Sequence, residues 1–288
     1  MWHTVGMIVL EFKLTGGATQ YAAVDEAIRT TQFIRNKCVR KWIDERGVKP
    51  YELNRYCAVL AREYDFAGKL NAQARQAAAE RAGAAILRFY KNCRAKTLGT
   101  KGYPQFQKDG RSVEYKLTGW KLDETRTRLT LTDGFKAGTF RLRGTRDLLC
   151  YALNQIKRVR TVRRADRYYA QFGVAADRRV PVAETGRTVG IDLGLTHFYT
   201  DSEGATVENP RHLRRSEKAV KRLQRRVSSK VKGSKNRAKA RGRLARKHLK
   251  VSRQRRDVAV KAARALVMSH DVIAYEDLRV SNIGLVKE

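Results

Sequence analysis

Long apolar runs are missing from this sequence. No stretch approaches the roughly 18 consecutive apolar residues that a membrane span needs, so a transmembrane protein is not expected. Cysteine is sparse. Cys38, Cys57, Cys93 and Cys150 stand far apart and form no CxxC pair, which argues against a zinc site in these residues and offers no disulfide framework. A reducing cytoplasm fits such thiols. The opening Met1-Trp2-His3-Thr4-Val5-Gly6-Met7 has neither a basic n-region nor an apolar h-region, so no secretory signal is expected, and Met7 is a second candidate start. His197, His212, His248 and His270 show no ligand spacing such as HExxH. Acid is scarce as well: 28 Asp and Glu stand against 62 Lys and Arg, a formal charge of +34. An enzyme acting on a small neutral metabolite gains nothing from that self-repulsion, so no small-molecule substrate is expected. The expected partner is a polyanion. Nucleic acid comes first, because Lys and Arg release condensed counterions when they neutralise phosphates. An acidic membrane surface comes second.

What is present is enough for a real core: 42% hydrophobic residues in 288 allow two modest domains. Met7 to Leu14 is rich in β-formers and reads as a strand that Gly16-Gly17 ends. Val24, Ala27, Ile28, Ile34, Cys38 and Trp42 follow at helical spacing over Gln20 to Trp42. Tyr51 to Phe66 and the alanine-rich Lys69 to Cys93 predict two further helices. From Tyr103 the texture alternates. Val113, Tyr115 and Leu117, then Leu129 and Leu131, then Phe140 and Leu142 occupy every second position, with Asp133-Gly134 as a turn signal. Ile156 to Val162 and Tyr168 to Val174 complete a set of short strands. Lys and Arg on their polar positions predict a small β-barrel with one basic side. Tyr103, Phe106, Trp120, Tyr168 and Tyr169 are candidates for stacking on bases, with core packing as the ordinary alternative. Pro181 to Arg187 reads as a linker.

A third region opens with Val189-Gly190-Ile191-Asp192-Leu193-Gly194-Leu195, a short buried strand carrying one carboxylate. His197 to Thr200 and Ala205 to Val207 read as strands joined by a turn at Asp201 to Gly204. Arg211 to Lys261 then holds 22 Lys or Arg and two acids, Glu217 and Asp257. Leu213, Val220, Leu223 and Val227 form one helical stripe. Leu244, Leu249, Val258, Ala262, Ala265 and Leu266 form a looser second one. A basic helical hairpin is expected, connected through Ser228 to Asn236. Arg225, Arg226, Lys230, Lys232, Lys235, Arg237, Lys239, Arg241 and Arg243 are its candidate phosphate contacts. Val272 to Tyr275 is a strand ending at Glu276.

A carboxylate inside an apolar strand is costly unless it is paired or holds a metal. Asp192 shares a face with Gly190 and Gly194, which leave room beside it. Asp192 and Glu276, from two strands of one sheet, could hold a divalent cation through oxygen ligands. Metal-assisted phosphodiester hydrolysis uses such a cluster near a polyanion-binding surface. On spacing alone Asp277 serves as well as Glu276.

The run from Val189 to Leu195 followed by Asp201-Ser202-Glu203-Gly204 resembles the first RuvC motif of the TnpB (OrfB) family, the transposase-like, RNA-guided nucleases of small insertion sequences related to type V CRISPR effectors. Leu223-Gln224-Arg225-Arg226, Ser234-Lys235-Asn236-Arg237, Lys247-His248 and Arg256-Asp257 resemble that family's basic helical segment. Ala274 to Asn282 is similar to its second RuvC motif. Phe33-Ile34-Arg35-Asn36 and Tyr103-Pro104-Gln105-Phe106 are similar to weaker family signatures. The likeness runs from about Leu10 to the end.

The resemblance implies an α+β multidomain chain. A β-barrel wedge domain would comprise 1–15 and 100–180, interrupted by a helical recognition insertion at 16–99. The N-terminal part of an incomplete RNase H-like (RuvC) α/β domain would follow at 181–288, with the basic hairpin at 211–268. It implies an RNA-guided, Mg²⁺- or Mn²⁺-dependent DNA endonuclease or insertion-sequence-associated transposase protein, with guide RNA and target DNA as partners. It assigns the first two catalytic and metal-binding carboxylates to Asp192 and Glu276, favouring Glu276 over Asp277. Family members carry a third catalytic Asp and usually a four-cysteine zinc ribbon, and neither pattern occurs here. The expectation is therefore a truncated chain, weakly active or inactive as a nuclease. The alternative is a non-catalytic RNA- or DNA-binding remnant or regulator. An ATPase of the actin and sugar-kinase type would need a second glycine-rich phosphate loop and an adenosine motif, which are missing. The order of motifs does not favour a DDE-type transposase.

Overall fold

The structure is a computed structural model that describes residues 6–45, 47–96, 99–176 and 183–276. The chain divides into two compact units, Met1–Arg178 and Arg179–Glu288. Part of the expected linker and the alternative ligand Asp277 lie outside the described residues.

In the first unit, strand β1 (Met7–Thr15) is followed by four helices before the chain returns to strands. The helices are α1 (Ala18–Asp44), α2 (Pro50–Glu63), α3 (Asp65–Lys69) and α4 (Ala72–Arg94). The strands are β2 (Ser112–Tyr115), β3 (Trp120–Leu122), β4 (Arg128–Leu131), β5 (Gly138–Arg143), β6 (Ile156–Arg163) and β7 (Tyr168–Ala175). They join β1 in a seven-stranded sheet of order β2-β6-β7-β1-β5-β4-β3. Every pairing in it is antiparallel. The two edges come close together. Gly119, at φ +93°, lies so near the Tyr115 ring that a Cβ there would stand 2.6 Å from it. Trp120 Nε1 donates back to Lys116 O at 2.8 Å. The sheet therefore curls almost into a barrel.

Alternation dictates what fills it. Leu10, Phe12, Leu14, Leu129, Phe140, Val159 and Phe172 point inward and are buried. They share one core with Val24, Ile28, Ile34, Leu53, Leu60 and the small residues Ala74, Ala78 and Ala82 of the helices. Small side chains along α4 let α1 and α2 approach closely. Gly16 is required where α1 leaves β1, because a Cβ would meet the Phe140 ring at 2.7 Å. The expected single helix over Tyr51 to Phe66 is broken at Tyr64, whose backbone is extended (φ −128°, ψ 110°). There the Tyr64 ring packs edge-on against Phe33, at 5.0 Å, and its hydroxyl accepts from Lys37 Nζ at 3.0 Å. Strand β3 was not expected from alternation. Cys38 and Cys57 are buried and Cys93 and Cys150 exposed, all four as free thiols.

The second unit has a four-stranded sheet of order β10-β9-β8-β11, built from β8 (Thr188–Asp192), β9 (His197–Asp201), β10 (Thr206–Glu208) and β11 (Val272–Tyr275). Between β10 and β11 run α5 (His212–Ser228) and α6 (Lys235–Ser269). One face of the sheet packs on α6: Val189, Tyr199 and Leu266 are buried, with Ile191, Val207, Ala262 and Ile273 against them.

Candidate functional site

Asp192 ends β8, and β11 runs parallel to that strand. Val272 lies opposite Thr188, Ile273 opposite Val189, Ala274 opposite Gly190 and Tyr275 opposite Ile191. Glu276 follows the last residue of β11, so this register continued by one residue would bring it level with Asp192. Neighbouring strands lie about 4.8 Å apart, close enough for two carboxylates to share one cation. Counting by twos, Gly190, Asp192, Ala274 and Glu276 belong to the face opposite the one that α6 covers. Asp192, Ala274 and Glu276 are exposed. The C-terminal ends of parallel strands are where open α/β sheets bind ligands.

Of the other acids around this sheet, Asp201, Glu203 and Asp271 are engaged, whereas Glu208 on β10 is exposed without a side-chain partner among the described residues. Asp201 Oδ1 accepts the N–H groups of Glu203 at 3.0 Å and Ala205 at 2.7 Å. Glu203 pairs with Arg187 at 3.1 Å. Asp271 accepts the N–H groups of Thr185 and Gly186 at 2.9 and 2.7 Å, bonds that hold its carboxyl below the usual range. Asp192 and Glu276, by contrast, have no hydrogen bond or ion pair with a described residue. Two unengaged carboxylates beside a glycine and an alanine suit a hard divalent cation such as Mg²⁺ or Mn²⁺. Among the described residues no group of three or more His, Cys, Asp or Glu is placed to hold a metal.

The hairpin forms from its seam outward. Ser216 on α5 and Val251 and Leu266 on α6 are buried. Val220, Leu223 and Val227 line up with Ala240, Leu244, Val258 and Ala262 as half-buried positions. Leu213 and Ala265, expected in the stripes, are exposed instead. Ser234 caps α6 by accepting the Arg237 N–H at 3.1 Å. The nine predicted cations fall on three adjoining pieces. Arg225 and Arg226 lie in the last turn of α5, Lys230 and Lys232 in the connection, and Lys235, Arg237, Lys239, Arg241 and Arg243 in the first turns of α6. Arg237 is half-buried and the other eight are exposed. None of the nine pairs with a described acid; the ion pairs between described residues of the hairpin include Lys221–Glu217 and Lys261–Asp257. A shallow notch of about 260 Å³ at the turn is lined by Lys232, Gly233, Ser234, Arg237, Ala238 and Arg241.

Of the five aromatic candidates, three are packed: Tyr168 stacks on Tyr21 at 4.8 Å, Trp120 meets Phe172 at 6.5 Å, and Tyr169 is buried with its hydroxyl on Asp166. Tyr103 and Phe106 are exposed, but Tyr103 also packs against the rings of Trp42 at 5.4 Å and Phe89 at 5.3 Å. The basic side of the barrel was expected without named residues. It consists of Lys13, Arg128, Arg141 and Arg143, signalled in sequence by basic residues flanking alternate leucines in RLTL and RLR.

A carboxylate pair at the end of parallel strands, in one unit with a cationic helical hairpin, is a combination suited to a polyanionic ligand. Residues 171–286 match the OrfB_IS605 family, described as "Probable transposase". That match gives this segment, about two fifths of the chain, the character of an OrfB_IS605-type transposase domain. It is 30% identical over 198 residues to the Escherichia coli (strain K12) protein named "Putative RNA-guided DNA endonuclease InsQ", covering 68% of this chain and 47% of that protein. It is 38% identical over 120 residues to a Streptomyces pristinaespiralis protein named "Putative RNA-guided DNA endonuclease", covering 42% of this chain and 30% of that one. The chain thus spans about half, or less, of the length of these curated relatives. In fold it is similar to a chain from the cryo-EM structure of the Cas12f1–sgRNA–target DNA complex, with TM-score 0.53 and 13% identity, covering 90% of this chain and 65% of that one.

Proposed function

We propose that this chain is the part of an insertion-sequence RNA-guided DNA endonuclease that holds guide RNA and target DNA and supplies two catalytic carboxylates. Residues 1–15 and 100–180 act as the wedge domain, 16–99 as the helical recognition insertion, and 181–288 as the N-terminal part of the RuvC-type nuclease domain. The observation that supports this reading is the parallel register of β8 and β11, whose continuation by one residue would set Asp192 beside Glu276, both exposed. These two residues would hold Mg²⁺ or Mn²⁺. When bound, the ion supplies an activated water and charge neutralisation for phosphodiester hydrolysis. The protein's own contribution is to orient the carboxylates through the strand pair and to hold the phosphate backbone on the hairpin, from Arg225 to Arg243. Base pairing with a guide then reads sequence, while Lys and Arg track the backbone.

A second reading, a non-cleaving RNA- or DNA-binding protein, is favoured by one observation: no third ligand joins the pair among the described residues. Two carboxylates hold a cation loosely, so cleavage by this chain alone is weak. Labelled single-stranded DNA incubated with Mn²⁺ separates the readings. The first expects slow cleavage that Asp192→Ala abolishes, with nucleic-acid binding retained. Equal background cleavage by both proteins leaves only the binding role.

A further inference from the structure

The outer face of the seven-stranded sheet divides into two halves of different electrostatic design. On β1, β7, β6 and β2, cations meet acids. Glu114 receives Arg160 at 2.5 Å and Arg81 at 3.2 Å, with Arg158 at 3.7 Å. Arg163 reaches Asp25 at 3.1 Å and Asp109 at 3.3 Å. Glu11 accepts from Gln171 at 2.7 Å and also from Arg164. Across β1, β5 and β4 four of the outward residues are cations with no acid partner among the described residues, and the other residue directly opposite Arg141 is the neutral Thr15. Lys13 lies directly opposite Arg143, and Arg141 directly opposite Arg128. Arg128, Arg141 and Arg143 are exposed and Lys13 half-buried. Asp123, five residues before Arg128, is occupied by the Arg128 N–H at 2.8 Å and the Thr125 hydroxyl at 2.7 Å.

Like charges directly opposite in an antiparallel pair destabilise it. The same two strands show the neutral solution at their next pair on this face, where the hydroxyls of Thr130 and Thr139 lie 2.8 Å apart. An unpaired Arg–Arg rung is therefore a standing cost that an anion relieves. Three of the four cations are arginines, whose planar forks match phosphate oxygens two at a time.

We propose that Lys13, Arg143, Arg141 and Arg128 form a phosphate-binding ladder for a nucleic-acid backbone. The ladder rests on the polyanion reading above and extends it from the hairpin to the sheet of the first unit. A polyanion bound there also stabilises the β5–β4 pairing, so binding and folding of the sheet are coupled.

The test uses the full chain, a fluorescein-labelled stem-loop RNA and a labelled DNA duplex, each titrated over a salt series. In the double variant Arg128→Thr with Arg141→Thr, affinity at low salt falls roughly tenfold, and the slope of log affinity against log salt becomes shallower by about 2, one for each lost phosphate contact. The thermal midpoint without nucleic acid stays level or rises, because the repulsive rung is replaced by a Thr–Thr pair. The probe whose slope changes names the source, RNA or DNA. A second pair, Lys13→Thr with Arg143→Thr, repeats the test should the first variant misfold. Unchanged slope and affinity for both probes overturn the ladder. If Arg225→Ala with Arg226→Ala weakens binding while the sheet variants do not, the polyanion reading stands and the ladder falls. If the unmodified chain binds neither probe in a salt-dependent way, both fall.

Discussion

Glu114 and Asp192 show how the same functional group takes opposite roles from its surroundings. Glu114 is buried among three arginines, whereas Asp192 is exposed and unengaged. Burial pushes the Glu114 carboxyl up, but the guanidiniums of Arg160 and Arg81 outweigh that and hold it below its ordinary value. A depressed carboxylate contributes stability that is present above the ordinary value of 4.5 and is lost as pH falls through the lowered one. Glu114→Gln leaves the guanidiniums without a counter-charge. It should cost about 2 kcal/mol at neutral pH, after discounting for the partial exposure of the arginines. It should also flatten the acid limb of stability below that value. Urea unfolding at neutral and acidic pH checks both; an unchanged acid limb contradicts the assignment. The alternation of Val113 and Tyr115 placed Glu114 on the outer face, and that is where it lies. Its burial was not legible, because Arg81 on α4 and Arg160 on β6, both distant in sequence, cover it.

Elements were legible where a local period declared them. Val220, Leu223 and Val227 announced α5, and Leu244, Val258 and Leu266 announced α6, because side chains four apart on a helix share a face. Leu266 bears most directly on the second unit, since it joins the hairpin to Val189 and Tyr199 of the sheet. Leu266→Ala should cost about 2–3 kcal/mol, seen as an earlier helical transition in urea by circular dichroism. A transition at the unmodified position would mean that the seam does not hold the hairpin. The break at Tyr64 was hidden, since the aromatic cluster that extends its backbone is tertiary. Pairing was hidden too. The strand Val272–Tyr275 was readable from composition, but nothing local names a parallel partner as far away as β8. Strand patterning offered Glu276 or Asp277 as the companion of Asp192, and only the family resemblance favoured Glu276.

Charge dominates the whole molecule. Residues 1–178 hold 35 Lys and Arg against 17 Asp and Glu, and residues 179–288 hold 27 against 11. The sequence drew attention to the hairpin because its cations are consecutive. Those of the first unit are dispersed over strands and helices, and only the folded sheet gathers Arg128, Arg141, Arg143 and Lys13 into rungs. No helix among the described residues is long and apolar enough to cross a membrane. On the function proposed above, a chain so cationic in both units would hold a phosphate backbone, and its carboxylate pair would bring a divalent cation to it. The most direct test is a Mn²⁺ titration followed by electron paramagnetic resonance, on the unmodified chain and on Asp192→Ala and Glu276→Gln. One site with a dissociation constant on the order of millimolar is expected, lost in Asp192→Ala and weakened in Glu276→Gln. Three superimposable titration curves would contradict the account.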